Sequence, residues 1–195
     1  RVLEALERRG ELENTLIVLA GDNGLALGQH GLMGKQNLYD HSVRVPLLMA
    51  GPGIPAGGRS DALCYLYDIY PTLCDLTGMS VPGTVEGRSL VPAFEGKAVR
   101  DQLMLAYCHQ MRGVRGPRFK LIETVVEGRR TSQLFDLQED PWECANLAGK
   151  PEYADVLKAL RAQLETFPSE HHDTGEQGRT FWEGYENASV IRTGL

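Results

Sequence analysis

Cysteine is scarce in this chain, and its four residues, Cys64, Cys74, Cys108 and Cys144, form no C-x-x-C pair and no zinc spacing. Neither a disulfide framework nor a structural zinc site is indicated. They read as buried free thiols or an incidental pair and identify no compartment. Positive charge is also in short supply: 20 Lys and Arg against 26 Asp and Glu give a formal net charge of -6. Without a basic stripe there is little to draw in a nucleic-acid backbone, so nucleic acid is not an expected partner, and small molecules or sugars are. No apolar run approaches the roughly 20 residues of a membrane-spanning helix, so no membrane partner is expected either. The opening "RVLEALERRGELEN" has no Met, is no signal peptide and starts inside a helical pattern, which leads to the expectation that the chain was cut from a longer protein. What is abundant is ordinary globular material: 42% hydrophobic and 24% charged residues in a chain of 195, enough for one core or a core with a small satellite domain.

Periodicity orders this material. Val2, Leu3, Leu6 and Leu12 share one helical side, and Gly10 is a common helix stop. Thr15 to Ala20 is a continuous apolar run, the pattern of a strand covered on both faces in a mainly parallel sheet. Val43 to Ile54 reads as a second strand ended by a Gly/Pro turn. "SDALCYLYDIYPTLCDLTGM" predicts a helix capped by Ser60 or Asp61, with Pro71 opening a turn or kinking it and Gly78 stopping it. From about Asp101 the character changes to short apolar pieces, "QLMLAYC", "MRGVRG", "FKLIETVV" and "QLFDL", as expected of a small antiparallel sheet. Pro151 to Phe167 predicts an amphipathic helix with Leu157, Leu160 and Leu164 on one side, and the remainder reads as a tail of weak periodicity.

The stretch "TLIVLAGDNGLALGQHGLMGKQ" holds the polar residues of most interest. Asn-Gly after an apolar run is often only a turn. Yet in open α/β sheets ligands collect beyond the carboxyl ends of strands, where Asp22 and Asn23 fall. A carboxylate and an amide oxygen suit Ca²⁺ or Mg²⁺ and suit soft metals poorly. Two such ligands leave a divalent ion under-coordinated, so further carboxylates must come from another segment. Lys35 reads either as a solvated charge or, beside a metal, as a compact donor to a sulfate or phosphate oxyanion. His30 is either a proton donor or a loop imidazole bonded to a backbone carbonyl. Other polar groups read as structural. Arg44 and Arg59 suit salt bridges or solvation, Asp40 and His41 face apart, and "EHHD" (170–173) lacks the i, i+4 histidines of a metal helix. For Trp142, Tyr65 and Tyr67, core packing is the default over sugar stacking.

The order of the pieces carries more than any one of them. "GDNGLALGQHGLMGKQNLYDHSVRVPLLMAGPGI" resembles, almost position by position, the sulfatase segment that runs strand, Asp-Asn or Asp-His, Gly, a loop with Gly-x-His-Gly, Gly-Lys, a tyrosine-containing helix, Arg-Val-Pro-Leu and a Gly-Pro-Gly turn. "LYDIYPTLCDLTGMSVP", "GRSLVPAFEGK", "GVRGPRFKLIE" and "QLFDLQEDPWECANLA" extend the likeness to roughly Leu164. The resemblance implies an alkaline-phosphatase-like α/β fold, a mainly parallel sheet with helices on both faces, present here in part, plus a small C-terminal antiparallel sheet packed with a helix. It divides the chain into the C-terminal part of an α/β catalytic domain (1–100), an antiparallel-sheet subdomain with its helix (101–167) and an irregular tail (168–195).

By the same resemblance Asp22 and Asn23 bind Ca²⁺, Lys35 contacts the sulfate, and His30 is a second catalytic candidate. The implied activity is calcium-assisted hydrolysis of a sulfuric ester, with a sulfated small molecule or glycan as substrate. Two family features are missing. No Cys or Ser stands in a Cys/Ser-x-Pro-x-Arg motif, the source of the formylglycine nucleophile, and no Asp-Asp pair supplies the remaining metal carboxylates. Both belong to the family's N-terminal half, so that half of the same protein is an expected partner, and this chain alone is expected to lack the nucleophile. A phosphonate or phosphate ester hydrolase of the same superfamily and a non-catalytic binding pseudoenzyme are the alternatives. Members of the family are often periplasmic or secreted, and a cytoplasmic location stays open.

Overall fold

The structure is a computed structural model that describes residues 1–191. In chain order its helices are α1 (Val2–Arg8), α2 (Asp40–Val43), α3 (Ile69–Thr77), α4 (Val91–Phe94), α5 (Ala154–Leu164), α6 (Phe167–Glu170) and α7 (Glu176–Asn187). Its strands are β1 (Ile17–Ala20), β2 (Ala26–Leu27), β3 (Met33–Gly34), β4 (Leu47–Ala50), β5 (Leu103–Tyr107), β6 (Met111–Arg115), β7 (Phe119–Val126), β8 (Arg129–Asp136) and β9 (Ser189–Ile191). The chain forms two compact units, Arg1–Asp22 with Val45–Asp101, and Asn23–Arg44 with the chain from Gln102 onward. Residues 23–44, which follow β1 and were expected with the α/β part, thus belong with the small sheet.

In the first unit, α1 ends as Gly10 turns to φ +68°. β1 then pairs with β4, antiparallel, with Ile17 opposite Ala50 and Ala20 opposite Leu47. Both strands lie where the apolar runs predicted them, but this pair is not parallel, and Leu19 and Leu48 are 58% and 59% exposed instead of covered. The predicted long helix begins later than Ser60 or Asp61: a 3₁₀ turn over Leu66–Asp68 leads into α3, and Gly78 closes it at φ +71°. Asp68 explains the late start. Its fully buried carboxylate accepts the Tyr65 amide at 2.7 Å and the Arg88 amide at 2.8 Å, and pairs with Arg100. A buried carboxylate satisfied by amide donors just ahead of a helix is a stronger start signal than an exposed serine. Arg100 also lies over the Tyr65 ring, 4.9 Å from its centroid, and Tyr65 stacks on Tyr67 at 4.7 Å.

The second unit is built on a five-stranded sheet in the order β5-β6-β7-β8-β9. β5 to β8 form an antiparallel meander, as their short apolar spacing predicted. Alternation along β7 sends its side chains to two covered faces. Leu121 and Val125 join Val114 and Leu134 against Leu157, Leu160 and Leu164 of α5 and Phe181 and Tyr185 of α7. Ile122, with Phe135, packs instead against Leu38, Tyr39 and Val43. The segment carrying residues 23–44 and the C-terminal helices therefore cover opposite faces of one sheet.

The tail was expected to be irregular over 168–195; residues 192–195 lie outside the described residues, and the part up to 191 is ordered as α7 and β9, with β9 parallel to β8. Its anchor is Asp173 of the "EHHD" stretch, whose carboxylate takes Arg112 Nε at 2.7 Å, Arg112 Nη2 at 3.0 Å and Trp182 Nε1 at 2.9 Å. Arg112 is 1% exposed and also donates to the Cys108 and Met111 carbonyls. Gly178, Phe181 and Tyr185 share the buried side of α7, a helical spacing present in the sequence, and the buried ion pair and the packing of Phe181, Trp182 and Tyr185 hold that side down. All four cysteines are free thiols, Cys74 buried and Cys108 and Cys144 exposed. Removing the carboxylate leaves a buried guanidinium unpaired, so Asp173→Ala is expected to cost about 3–5 kcal/mol in urea unfolding and to raise hydrogen exchange in α7 first.

Candidate active site

Asp22 is the last residue of the first unit and Asn23 the first of the second. Asp22 is exposed and Asn23 half-buried. Asn23-Gly24 is not the tight hairpin turn that the dipeptide suggests on its own. The Gly24 amide donates to the Ser42 carbonyl at 2.9 Å, and a Cβ at Gly24 would overlap the His41 carbonyl oxygen. Glycine is required here by close backbone approach, which draws the chain after Asn23 onto α2.

The glycine-rich stretch beyond Asn23 is a hairpin instead of an open loop. β2 pairs with β3, Ala26 opposite Gly34 and Leu27 opposite Met33. Gly28 (φ +108°) and Gly31 (φ +70°) flank His30, itself at φ +54° in the left-handed region where histidine is tolerated better than most side chains. Lys35 comes directly after β3, exposed, with no ion pair among the described residues. The structure thus brings His30 and Lys35 onto one hairpin.

His30 is held by its environment. Its ring stacks on Tyr39, centroids 3.9 Å apart and planes 7° from parallel, and its Nε2 lies 3.1 Å from the Trp142 carbonyl. A carbonyl only accepts, so Nε2 carries the proton and Nδ1 is the acceptor in the neutral ring. This is the carbonyl-bonded imidazole that the sequence left as one of two readings. Trp142 corrects the expectation of core packing: its side chain is 75% exposed and its backbone does the holding. Tyr67 is exposed as well.

Beneath the aromatic stack lies a charge cluster that motif reasoning passed over. Lys120, with no exposed surface, reaches Asp40 Oδ1 at 2.8 Å and Glu143 Oε1 at 2.7 Å. Glu143 Oε2 in turn accepts the Asp40 amide at 2.6 Å, capping the start of α2. Tyr39 adds a hydrogen bond between its hydroxyl and Gln133 of β8. Asp40, read as structural, serves that end. The signal in the sequence was there: "FKLIETVV" places one charge on each face of an otherwise apolar strand, Lys120 beside Ile122 and Glu123 beside Leu121, and a charge on a buried face demands a partner. His41 sits next to this cluster with Nε2 buried and no hydrogen-bond partner among the described residues. Burial, then electrostatic repulsion from the neighbouring His30 and Lys120, hold its pKa below the ordinary value against the pull of Asp40.

A carboxylate and an amide at Asp22 and Asn23 are hard oxygen donors of the kind Ca²⁺ takes, in sets of about 6–8 oxygens. No group of three or more His, Cys, Asp or Glu side chains disposed to hold a metal occurs among the described residues. The pair therefore fits such an ion as part of its ligand set only. No helix among the described residues is long and apolar enough to cross a membrane.

Comparison with known proteins agrees with the sequence resemblance. Residues 28–170 match the family described as N-sulphoglucosamine sulphohydrolase, C-terminal. An N-acetylglucosamine-6-O-sulfatase of Bacteroides thetaiotaomicron is 36% identical over 187 residues, covering 89% of this chain and 33% of the relative. A solved structure described in complex with its substrate D-glucosamine-2-N,6-O-disulfate superimposes with a TM-score of 0.82 at 33% identity, over 91% of this chain and 38% of that one. The phosphonate monoester hydrolase of Agrobacterium radiobacter superimposes with a TM-score of 0.75 at 29% identity, over 88% of this chain and 38% of that one. The chain spans between a third and two fifths of the length of these proteins.

Two expectations arise from the geometry. Lys120→Met leaves two carboxylates without their cation and is expected to cost about 3–5 kcal/mol in urea unfolding, while Glu143→Gln, which keeps an acceptor for the Asp40 amide, costs less. Because the folded pKa of His41 is depressed, its contribution is fully present above the unfolded value near 6.5. It is lost as the pH falls from there toward the folded value, where the unfolded chain binds the proton first. His41→Gln should flatten that part of the stability profile, read as urea midpoints between pH 7.5 and pH 5.5.

Proposed function

The chain belongs to the sulfatase family, and from that premise we propose that it is the calcium- and sulfate-binding C-terminal portion of a sulfuric ester hydrolase. The observation that carries this reading is the hairpin that ends in Lys35. Its ammonium is exposed and unpaired among the described residues, whereas the buried cations Lys120, Arg100 and Arg112 are each matched to a carboxylate. An unmatched, compact cation directly after a strand of a pinned hairpin is suited to receive a sulfate oxygen.

The proposal assigns each candidate a task. The Asp22 carboxylate and the Asn23 side-chain oxygen hold part of a Ca²⁺ site. When bound, that ion supplies positive charge to the sulfate oxygens. Lys35 binds another oxygen of the same group and stabilises the negative charge that builds there. His30 has Nδ1 as its remaining ring nitrogen, so as the imidazolium it can give a proton to the departing alcohol oxygen and as the neutral ring it can only accept one. The formylglycine nucleophile and two further carboxylates are assigned to a segment outside these 195 residues, since the sequence contains neither motif. The sulfated glucosamine described with the solved relative and the 6-O-sulfatase name of the curated one support a sulfated sugar as the substrate class.

In the complete enzyme, Asp22→Ala and Lys35→Ala are each expected to lower kcat/KM for a sulfate ester by about 10²–10³-fold while leaving the unfolding midpoint without calcium unchanged. Calcium should raise the midpoint of the unaltered protein and not that of Asp22→Ala. Near-normal turnover in either variant overturns the assignment. Faster turnover of a phosphonate monoester than of the matching sulfate ester selects the superfamily alternative, and no turnover together with no calcium response selects a binding pseudoenzyme.

A further inference from the structure

On the α5 face of the five-stranded sheet, opposite the face covered by Leu38 and Tyr39, lies a groove of about 760 Å³ between α5, the loop before it and the β8–β9 edge. Its charged walls are Arg130 from β8, Lys150 ahead of α5, and Lys158, Arg161 and Glu165 along one side of the helix. The spacing of these last three, three and four residues apart, is what places them on a common side. Four cations thus face one exposed carboxylate, in a protein whose formal charge is -6.

The floor of the groove carries more positive than negative charge. Arg130 and Arg161 share a single buried carboxylate, Glu123. Arg161 Nε donates to Glu123 Oε1 at 2.8 Å, and Ser132 Oγ donates to Oε2 at 2.8 Å. That leaves Arg130 Nε 3.8 Å from Oε2, buried and without a hydrogen-bond partner among the described residues, while the same guanidinium donates through Nη1 to the Tyr185 carbonyl at 3.3 Å and lies 4.2 Å from the Tyr185 ring centroid. Two guanidiniums on one carboxylate leave a unit of positive charge in a partly desolvated setting, where an oxyanion gains most. Lys150 and Lys158 at the rim are exposed and make no ion pair among the described residues. The rest of the lining is aliphatic or glycine, with no aromatic ring on which a nucleobase would stack. The volume suits a short saccharide segment.

We propose that this groove binds the sulfate or carboxylate groups of an anionic saccharide. The saccharide part of the assignment rests on the sulfated-sugar reading of the proposed function, while the anion-binding part rests on the charge arrangement alone. The test uses the full chain carrying Lys35→Ala, so that the candidate sulfate contact on the hairpin is absent, and titrates a sulfated disaccharide, its unsulfated parent and inorganic sulfate by calorimetry. The disaccharide is expected to bind, the parent not to, and Lys150→Gln with Lys158→Gln to weaken binding about tenfold, the combined worth of two exposed charges. Both lysines are solvent-facing, so the double variant keeps the fold. Unchanged affinity in the double variant, or equal affinity for the unsulfated parent, overturns the proposal. Inorganic sulfate binding as tightly as the disaccharide overturns the saccharide assignment and keeps an anion site. Turnover by the complete enzyme is measured separately, so loss of the sulfatase reading and loss of the groove give different results.

Discussion

A lysine with no access to water sits at the centre of the second unit, and the candidate site depends on how it is satisfied. Burying an ammonium costs several kcal/mol unless carboxylates and hydrogen bonds return it. Lys120 obtains Asp40 from α2 and Glu143 from the loop after β8, two segments more than a hundred residues apart in sequence. Satisfying one charge thereby fixes where the residues before α2 and the residues around Trp142 must lie. Tyr39 and the Trp142 carbonyl, set by that junction, are the two groups that hold the His30 ring. Such a cluster contributes less to net stability than to the uniqueness of the arrangement, since any other docking of the hairpin would leave a charge stranded.

The same device recurs wherever an irregular segment must be tied to a regular one. Asp68 gathers Arg100 and two backbone amides at the start of α3. Arg112 and Asp173 bring the C-terminal helix back to the sheet. Glu123 joins α5 to β7 and β8, and there the matching is incomplete, two guanidiniums to one carboxylate. Where each cation has at least one carboxylate to itself, the cluster is a fastener; beside the α5 groove two guanidiniums share one carboxylate, which leaves a surplus of positive charge.

Much of this was legible in the residue pattern. The four strands of the meander, the faces of α5 and the glycine stops after α1 and α3 follow from alternation, helical spacing and the φ > 0 preference of glycine, all local effects. Where reading failed, the cause was a contact distant in sequence. The α3 start was misplaced because the capping carboxylate is fixed by Arg88 and Arg100, twenty and thirty-two residues on. The tail seemed irregular because its partner, Arg112, lies sixty-one residues before Asp173. Trp142 seemed a core residue because size and hydrophobicity favour burial, yet its exposed ring follows from Glu143, the next residue, turning inward at φ +59° to meet Lys120.

The sequence by itself determined the chemistry on offer: a hard-oxygen pair at Asp22 and Asn23, an ammonium at Lys35 and an imidazole at His30, in an order that resembles sulfatases closely enough to name the family. It did so because side-chain chemistry and motif spacing are properties of the chain. Only the tertiary structure decided that residues 23–44 dock on the small sheet, that His30 is bonded to a carbonyl while Lys35 stays open to solvent, and that a second, cationic groove exists on the far side of that sheet. Those outcomes depend on which buried charges find partners across long separations, and pairing of that kind is settled by folding, where leaving any one of them unmatched costs more than the local preference of the segment that carries it.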